Sequence, residues 1–251
     1  MTKIRLKIKD LLFSGIDFLL RKRLRVVKKY LMTGKIKTLD AGCGNGALCL
    51  LCYRLGNLVT GIDIDAGNIE RCLEYRDYKN ISSSKVRFAI FNIYNLLELN
   101  QTFDQILCFE TLEHLLYDKR AIEVFVNLLN PGGVIHLGVP NLNCAFNLRT
   151  VISPAENGGH VRKGYTYTTL KEMLVSSGFK IVKEDRYGGF FTRQVYALYL
   201  RLQNLWIFKN FPKHVNEVKN VLAFLCLNPL TYLDSFVEAE PMSIYIMAKR
   251  I

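Results

Sequence analysis

The sequence predicts an α/β protein whose mostly parallel, seven-stranded sheet is covered by helices on both faces. From residue 36 onward, short apolar runs alternate with stretches of helical periodicity, a pattern typical of strands joined by crossover helices. Half of the 251 residues are apolar, which is enough for one sizeable core and excludes a disordered chain. Only 17 glycines and 6 prolines are present, so a collagen-like chain is excluded as well.

The strands and helices follow one another in order along the chain. Five apolar runs predict the first five strands: Ile36–Ala41, Leu58–Ile64, Val86–Phe91, Phe103–Phe109 and Val134–Val139. Four stretches of helical character are Gly46–Leu55, Ala66–Arg76, Glu113–Leu129 and Thr168–Ser177. Two further segments rich in residues that favour strands, Phe179–Tyr187 and Ser243–Lys249, are expected to complete the sheet.

Two segments fall outside this sheet. Residues 1–35 are a predicted basic, amphipathic helical arm, because apolar residues recur there at helical spacing between lysines and arginines. Residues 188–241, between the last two strands, form a predicted helical insertion rich in aromatic residues. We expect this insertion to act as a lid that either caps a substrate pocket or touches a membrane. Together with it, residues 36–251 make up one domain.

The net charge of +12 lies mostly at the N-terminus. Residues 1–37 carry twelve basic and two acidic side chains, so their charge is +10 and the remaining residues carry only +2. A cationic amphipathic arm predicts peripheral contact with an anionic membrane. Contact with nucleic-acid phosphates is less favoured, because RNA-binding segments interleave aromatic residues with basic ones. A solvated helix face without a partner is the remaining alternative.

The seven cysteines predict reduced, mostly buried thiols. Their number is odd, and Cys49, Cys52, Cys108 and Cys226 have apolar surroundings. Reduced thiols predict a cytoplasmic protein. No run of 18 apolar residues occurs in the sequence, so no bilayer-spanning helix is predicted.

A glycine-rich loop, Asp40-Ala41-Gly42-Cys43-Gly44-Asn45-Gly46, stands between the first predicted strand and the first helix. Glycines there let the backbone approach a ligand closely, and the helix N-terminus offers free N–H donors. Asp63 ends the second strand 19 residues after Gly44, near the spacing of an acid that binds ribose hydroxyls. The third glycine comes too early for the dinucleotide pattern. Asp40 would also repel a pyrophosphate, so a ligand with an amino group and a positive centre fits better.

The loop, Gly61–Asp63 and the fourth strand resemble the class I S-adenosylmethionine-dependent methyltransferases, over about residues 36–187. The resemblance implies a Rossmann-like fold, a methyltransferase domain at 36–251 and S-adenosyl-L-methionine as cofactor. The loop residues would surround the methionine part, and Asp63 would bind the ribose. Asn92 stands where the family usually has Asp beside the adenine amino group, and it can accept that hydrogen bond through its amide oxygen. The expected cofactor site comprises Asp40, Gly42, Gly44, Gly46, Asp63, Ile64, Asn92, Ile93 and Phe109.

A second group of polar residues follows the fourth strand. Glu110, Glu113 and His114 are spaced i, i+3 and i+4, so one helical face could carry all three. The loop around His160 could bring a second imidazole to the same sheet edge, and such groups can bind a divalent cation. The cluster resembles the Mg²⁺-associated Glu-x-x-Glu-His motif of the ubiquinone-biosynthesis O-methyltransferases and the small-RNA 2′-O-methyltransferases. The resemblance implies Glu110, Glu113, His114 and His160 as metal ligands.

A metal-free site stays open as an alternative. Glu113, His114 and His160 would then be the candidate catalytic residues, with a histidine lining the pocket as general base. A purely structural role for the cluster is the third possibility. His160, Arg162 and Tyr165 are expected to close over the site, where Arg162 could pair with an anionic acceptor or form an ordinary loop salt bridge.

These features predict methyl transfer to oxygen. The sulfonium of the donor is already activated, so the protein has to align the acceptor and remove a proton. No Asn/Asp-Pro-Pro-aromatic run follows the fourth strand and no Pro-Cys pair is present, which argues against methylation of DNA bases. The favoured acceptor is a small lipophilic or lipid-linked molecule such as a quinone, glycolipid or sugar precursor. The alternatives are an RNA 2′-O-methyltransferase and a catalytically silent, cofactor-binding regulatory subunit.

Overall fold

The computed structural model describes residues 17–204 and 221–251. Seven strands form one sheet in the order β3-β2-β1-β4-β5-β7-β6. The pairs β5–β7 and β6–β7 are antiparallel and the other four are parallel, so the predicted fold class is confirmed. The strands are β1 (Lys37–Ala41), β2 (Leu58–Asp63), β3 (Val86–Ile90), β4 (Phe103–Phe109), β5 (Leu129–Pro140), β6 (Phe179–Tyr187) and β7 (Ser243–Arg250).

Helices cover both faces of the sheet. They are α1 (Phe18–Lys28), α2 (Ala47–Arg54), α3 (Ala66–Tyr78), α4 (Asp118–Leu128), α5 (Tyr167–Ser176) and α6 (Phe190–Asn204). The 3₁₀ helices span Ile93–Leu99, Leu112–His114, Asn147–Arg149 and Asn228–Phe236. Along β4, Ile106 and Cys108 pack with α4 and α5, whereas Leu107 and Phe109 pack with α1, α2 and α3. This alternation follows from the two-residue period of a strand and separates two cores.

The chain after β4 differs from the predicted helix at Glu113–Leu129. Glu110 has a left-handed φ of 50°, and its backbone N–H donates to the Gly138 carbonyl at 2.8 Å. A single 3₁₀ turn, Leu112–His114, follows, and extended backbone at Leu115 separates it from α4. Because Glu110 stays bonded to the sheet edge, Glu110, Glu113 and His114 do not share one helical face.

The described part of the predicted arm belongs to the core of the domain. Asp17 caps α1 by accepting a hydrogen bond from the Leu20 N–H at 2.8 Å. Leu20, Leu24 and Val27 are buried in the same cluster as the helix that follows the glycine loop. Most of the basic side chains of α1 also contact the body of the domain, as described below. Residues 1–16 of the predicted arm lie outside the described residues.

The described part of the 188–241 insertion is helical and packs on α1. It comprises α6, a helical stretch at 221–227 and the 3₁₀ helix Asn228–Phe236. Phe18 of α1 is buried against Val195 and Phe224, with the two phenyl centroids 4.9 Å apart. Residues 205–220 of the predicted lid lie outside the described residues, and the described ones are absent from the walls of the two cavities that follow.

The cysteine prediction holds at six of the seven positions. All seven thiols are free and six are buried, but Cys226 is exposed. Its neighbour Phe224 is the residue of that turn that faces the core. None of the helices in the described ranges combines the length and the apolar character that a bilayer crossing requires.

Candidate active site

Two adjoining cavities lie at the carboxyl ends of the central strands, where ligands bind in open α/β sheets. The main cavity measures about 370 Å³ and lies between the glycine loop, the end of β2 and the start of the Ile93–Leu99 helix. The side cavity measures about 240 Å³ and lies between the glycine loop and α1. Gly42, Gly44 and Glu110 line both cavities. The two cavities therefore adjoin at these residues, and a ligand longer than either cavity could occupy both.

The glycine loop is shaped by contacts on its inner side. Gly42 has a φ of +78°, and a Cβ there would lie 2.4 Å from Thr111 Oγ1. Around Gly44 nothing lies within 4 Å of such a Cβ, which leaves room for a ligand. Gly46, with a φ of +73°, packs closely on Cys72 and Phe88. Gly46 therefore shapes the start of α2 and does not line either cavity.

Asp40 supports the loop from beneath. Its side chain is buried and accepts a hydrogen bond from the Cys49 thiol at 3.1 Å. Burial raises the pKa of Asp40 to about 6, although the Cys49 hydrogen bond opposes this shift. Asp40 lines neither cavity, so in this structure it lies behind the glycine loop, and its contact with the methionine part stays an implication of the resemblance.

The wall of the main cavity combines the carboxylate of Asp63, which is held by two backbone N–H groups, with the apolar side chains of Ile64 and Ile93. Asp63 accepts the Gly44 N–H on Oδ2 at 2.8 Å and the Asp65 N–H on Oδ1 at 2.9 Å. Each oxygen keeps a lone pair that a ribose hydroxyl could use. Ile64 lines the cavity although it is 71% exposed, and Ile93 lies in the same wall. These side chains can pack on the faces of a planar ring.

Asn92 is oriented by a helix cap. Its Oδ1 accepts the Tyr94 N–H at 2.9 Å at the start of the 3₁₀ helix. The side-chain NH₂ group is the remaining donor, so Asn92 can offer a hydrogen bond to a ring nitrogen as well as accept one from an amino group. Both possibilities suit adenine.

The side cavity holds an ion pair that sequence reasoning missed. Arg23 of α1 lines it, and its Nη2 lies 3.6 Å from Glu110 Oε1. The same oxygen accepts the Tyr187 hydroxyl at 2.7 Å and the Ser243 hydroxyl at 2.9 Å. Burial lowers the pKa of Arg23, but the acidic groups Tyr187 and Glu110 outweigh it and raise the pKa above its ordinary value. The guanidinium therefore stays charged beside the glycine loop.

A sequence signal for Arg23 did exist. It stands three residues after Leu20 and four before Val27, so it lies on the apolar stripe of α1, where a charge is unexpected. Five other basic residues lie within six positions of Arg23, so net charge alone does not distinguish it from its neighbours. Arg23 Nε is also buried without a hydrogen-bond partner in the described structure.

Three of the predicted metal ligands come together. Glu113, His114 and His160 each place one ligand atom within 4.8 Å of the others. Both oxygens of Glu113 and Nδ1 of His160 are buried and lack a hydrogen-bond partner among the described residues. Burial, together with the charge of Glu110, raises the pKa of Glu113 well above its ordinary value. Glu110 lies outside this group of three and is held by Tyr187 and Ser243.

The tautomer of His114 follows from its partner. Its Nδ1 lies 3.0 Å from the Gly159 carbonyl oxygen, which can only accept, so Nδ1 carries the proton. Nε2 of the neutral ring then keeps a lone pair, 3.9 Å from Glu113 Oε1. The His160 ring lies 4.6 Å away, and its pKa is lowered by burial and by His114. His114 also lines the main cavity, so its ring belongs to the site.

The loop 153–162 closes one side of the main cavity. Glu156 lines the cavity, and its Oε1 accepts the Tyr94 hydroxyl at 2.5 Å and the Leu116 N–H at 2.6 Å. Arg162 forms an ion pair with Asp118. Of the two roles expected for Arg162, the structure therefore shows the loop salt bridge. Tyr165 is buried and its hydroxyl also donates to Asp118, at 2.8 Å, so it supports the loop from below.

Comparison with known proteins agrees with this geometry. Residues 7–184 match the methyltransferase domain family. The chain is similar to the ubiquinone biosynthesis O-methyltransferase of Psychrobacter arcticus, with 30% identity over 156 residues, 59% of this chain. The match spans 60% of that relative's length.

Solved structures show the same fold. One is a SAM-dependent methyltransferase from Archaeoglobus fulgidus, with a TM-score of 0.60 and 21% identity over 99% of this chain and 100% of that one. Another is coclaurine N-methyltransferase bound to N-methylheliamine and SAH, with a TM-score of 0.61 and 18% identity over 93% of this chain and 72% of that one. The chain therefore belongs to the methyltransferase domain family, and its fold is that of the S-adenosylmethionine-dependent methyltransferases.

Proposed function

We propose that this family member O-methylates a small hydroxyl-bearing acceptor, lipophilic or lipid-linked, with S-adenosyl-L-methionine as the methyl donor. The observation that carries the proposal is His114, which lines the main cavity and whose Nδ1–H is held by the Gly159 carbonyl, so that Nε2 is the nitrogen left to accept a proton. A hydroxyl is a poor nucleophile until its proton is removed, and a neutral imidazole is suited to remove it. The relative named ubiquinone biosynthesis O-methyltransferase supports oxygen as the acceptor atom.

The donor would lie across both cavities. Its adenine would pack between Ile64 and Ile93, its ribose hydroxyls would bind Asp63, and its amino acid end would reach the side cavity. There Arg23 is suited to the α-carboxylate and Glu110 to the α-ammonium. The sulfonium would then lie near Gly42 and Glu110, which line both cavities.

The transfer itself needs alignment and one base. The acceptor oxygen attacks the methyl carbon in line, the carbon–sulfur bond breaks, and its electron pair returns to sulfur as the thioether. The hydroxyl proton passes to His114 Nε2, whose ring is held by the Gly159 carbonyl. His160, less basic than an ordinary histidine, can remain neutral beside the protonated ring.

The cluster of Glu113, His114 and His160 also fits a divalent cation. The buried Glu113 carboxyl group has no hydrogen-bond partner among the described residues and lies beside two imidazoles. A bound cation would supply the positive charge that such a carboxylate lacks. With one oxygen donor and two nitrogens, the cluster suits a transition cation such as Mn²⁺ better than Mg²⁺, which prefers oxygen. A cation bound there would use the lone pair of His114 Nε2, so this nitrogen would no longer serve as the base. The cation would instead assist proton loss by lowering the pKa of the acceptor hydroxyl.

Titration calorimetry with Mg²⁺ and with Mn²⁺ tests the cation. We expect heat from Mn²⁺ with the unmodified chain and none with Glu113→Ala. Glu123→Ala, which alters an exposed carboxylate of α4 outside the cluster, should keep the heat. Equal heats from the unmodified chain and Glu113→Ala would refute the metal site and leave His114 as the base alone.

Labelled methyl donor tests the reaction. The chain would be incubated with methyl-labelled S-adenosylmethionine and cell extract, which is then separated into lipid, small-molecule and RNA fractions. We expect label in the lipid or small-molecule fraction, lost in His114→Ala although that variant still binds S-adenosylhomocysteine. Label in RNA would favour the RNA 2′-O-methyltransferase, whose distal histidine His160 would match. Cofactor binding without turnover would favour the regulatory subunit.

A further inference from the structure

The 3₁₀ helix Asn228–Phe236 presents an unusual outer surface. With three residues per turn, side chains at i and i+3 lie directly above one another. Leu230, Leu233 and Phe236 therefore form one stripe, and they are 44%, 37% and 81% exposed. On the preceding turns, Leu222 and Leu225 are 56% and 53% exposed while Phe224 between them is buried. We call these five residues, Leu222, Leu225, Leu230, Leu233 and Phe236, the outer ridge.

The inner side of this helix is firmly anchored. Asp234 accepts the Thr192 N–H at 2.9 Å and the Gly189 N–H at 3.2 Å, and forms an ion pair with Lys22 at 3.2 Å. The Thr192 hydroxyl bonds the same carboxylate at 2.5 Å, and Thr231 is 1% exposed. The hydrogen bonds to Asp234 hold its pKa below the ordinary value despite burial. The apolar stripe is thus turned outward by a fixed structure.

A cationic rim borders the outer ridge. The guanidinium of Arg25 lies 4.5 Å from the centroid of the Tyr232 ring, on the third side of the 3₁₀ helix. Arg25 and Lys28 are exposed, whereas Lys22, Arg23 and Lys29 lie in ion pairs with Asp234, Glu110 and Asp185. Exposed leucines and phenylalanine beside arginine and tyrosine form the pattern of a surface that lies in the headgroup region of a bilayer.

We propose that the outer ridge docks this chain on the surface of an anionic lipid bilayer, with Arg25 and Lys28 at the headgroups. A second copy of the chain would bring two cationic rims together, and like charges across an interface oppose association. The net charge of +12 favours a negative surface. Glu238, exposed just beyond the ridge, offsets one rim charge, so the apolar side chains are expected to dominate. The docking does not depend on the proposed reaction.

Vesicle sedimentation with the full chain tests this surface. The vesicles are phosphatidylcholine alone or phosphatidylcholine mixed with phosphatidylglycerol, and no cofactor or acceptor is added. We expect preferential binding to the mixed vesicles and a loss of at least about tenfold in partitioning for the double variant Leu233→Asp, Phe236→Asp. Arg25→Gln should lose about fivefold.

Two controls distinguish docking from other effects. Val175→Asp alters a side chain that is 57% exposed on α5, outside the ridge, and should bind vesicles like the unmodified chain. S-adenosylhomocysteine binding by the ridge variants should be unchanged, which shows that they fold. Undiminished vesicle binding of the folded double variant would overturn the proposal. So would a dimer of the unmodified chain that the double variant dissolves in sedimentation analysis, since the ridge would then join two copies.

Discussion

Replacing Arg23 by methionine tests the placement of the donor's amino acid end. The Arg23 side chain is only 15% exposed and lies between Glu110 and the glycine loop, so solvent screens it little. A hydrogen bond to a charged group contributes about 1.5–3 kcal/mol. We therefore expect the Kd for S-adenosylhomocysteine to rise by about 10- to 150-fold.

The informative comparison is a ligand without the amino acid end. 5′-Methylthioadenosine keeps the adenosine and the sulfur but lacks the carboxylate and the ammonium. Calorimetry should give the same Kd for this ligand with the unmodified chain and with Arg23→Met, because its contacts would lie in the main cavity. Arg25→Gln, two residues away on the exposed side of α1, should leave both affinities unchanged.

Two outcomes would refute the reasoning. An unchanged affinity of Arg23→Met for S-adenosylhomocysteine would mean that the guanidinium does not contact the carboxylate. An equal loss for both ligands would mean that the substitution distorts the glycine loop, since Arg23 also compensates the partly buried charge of Glu110. Thermal unfolding of the variant, with and without ligand, identifies the second case.

Other predictions follow from the same structure. Gly42→Ala would place a Cβ 2.4 Å from Thr111 Oγ1; we expect loss of S-adenosylhomocysteine binding and a stability cost of roughly 2–4 kcal/mol in denaturant unfolding. Gly34→Ala is the matched control, because Gly34 has a φ of +92° but nothing within 4 Å, so binding should survive. Burial lowers the pKa of His136 to about 3, so only the unfolded chain takes up this proton between about pH 6.5 and 3. The contribution of His136 to stability should therefore be fully present above pH 6.5 and decrease by up to about 1.4 kcal/mol per pH unit between about pH 6.5 and 3. His136→Gln should lose this decrease, and a steeper or equal fall in stability in that variant would contradict the assignment.

The sequence alone determined the layered architecture and the cofactor loop, because both depend on local patterns. The alternation of apolar runs with helical periodicity follows from burial on both faces of a parallel sheet, and all seven predicted strands appear within the described residues. The glycine loop and Asp63 could be found because the turn, the helix start and the end of β2 are each encoded within a few residues. The hydrogen bond from Gly44 to Asp63 joins two elements that the motif spacing had already paired.

Only the tertiary structure decided how ionisable side chains are shared between sites. Glu110 looked equivalent to Glu113 in sequence, but the left-handed backbone at Glu110 turns its carboxylate toward Tyr187 and Ser243. Arg23 counted as one charge among many until the packing of α1 buried it beside the glycine loop. Net charge and motif spacing describe composition along the chain. The partner of each charge is set by distances between residues far apart in sequence, and these exist only once the chain has folded.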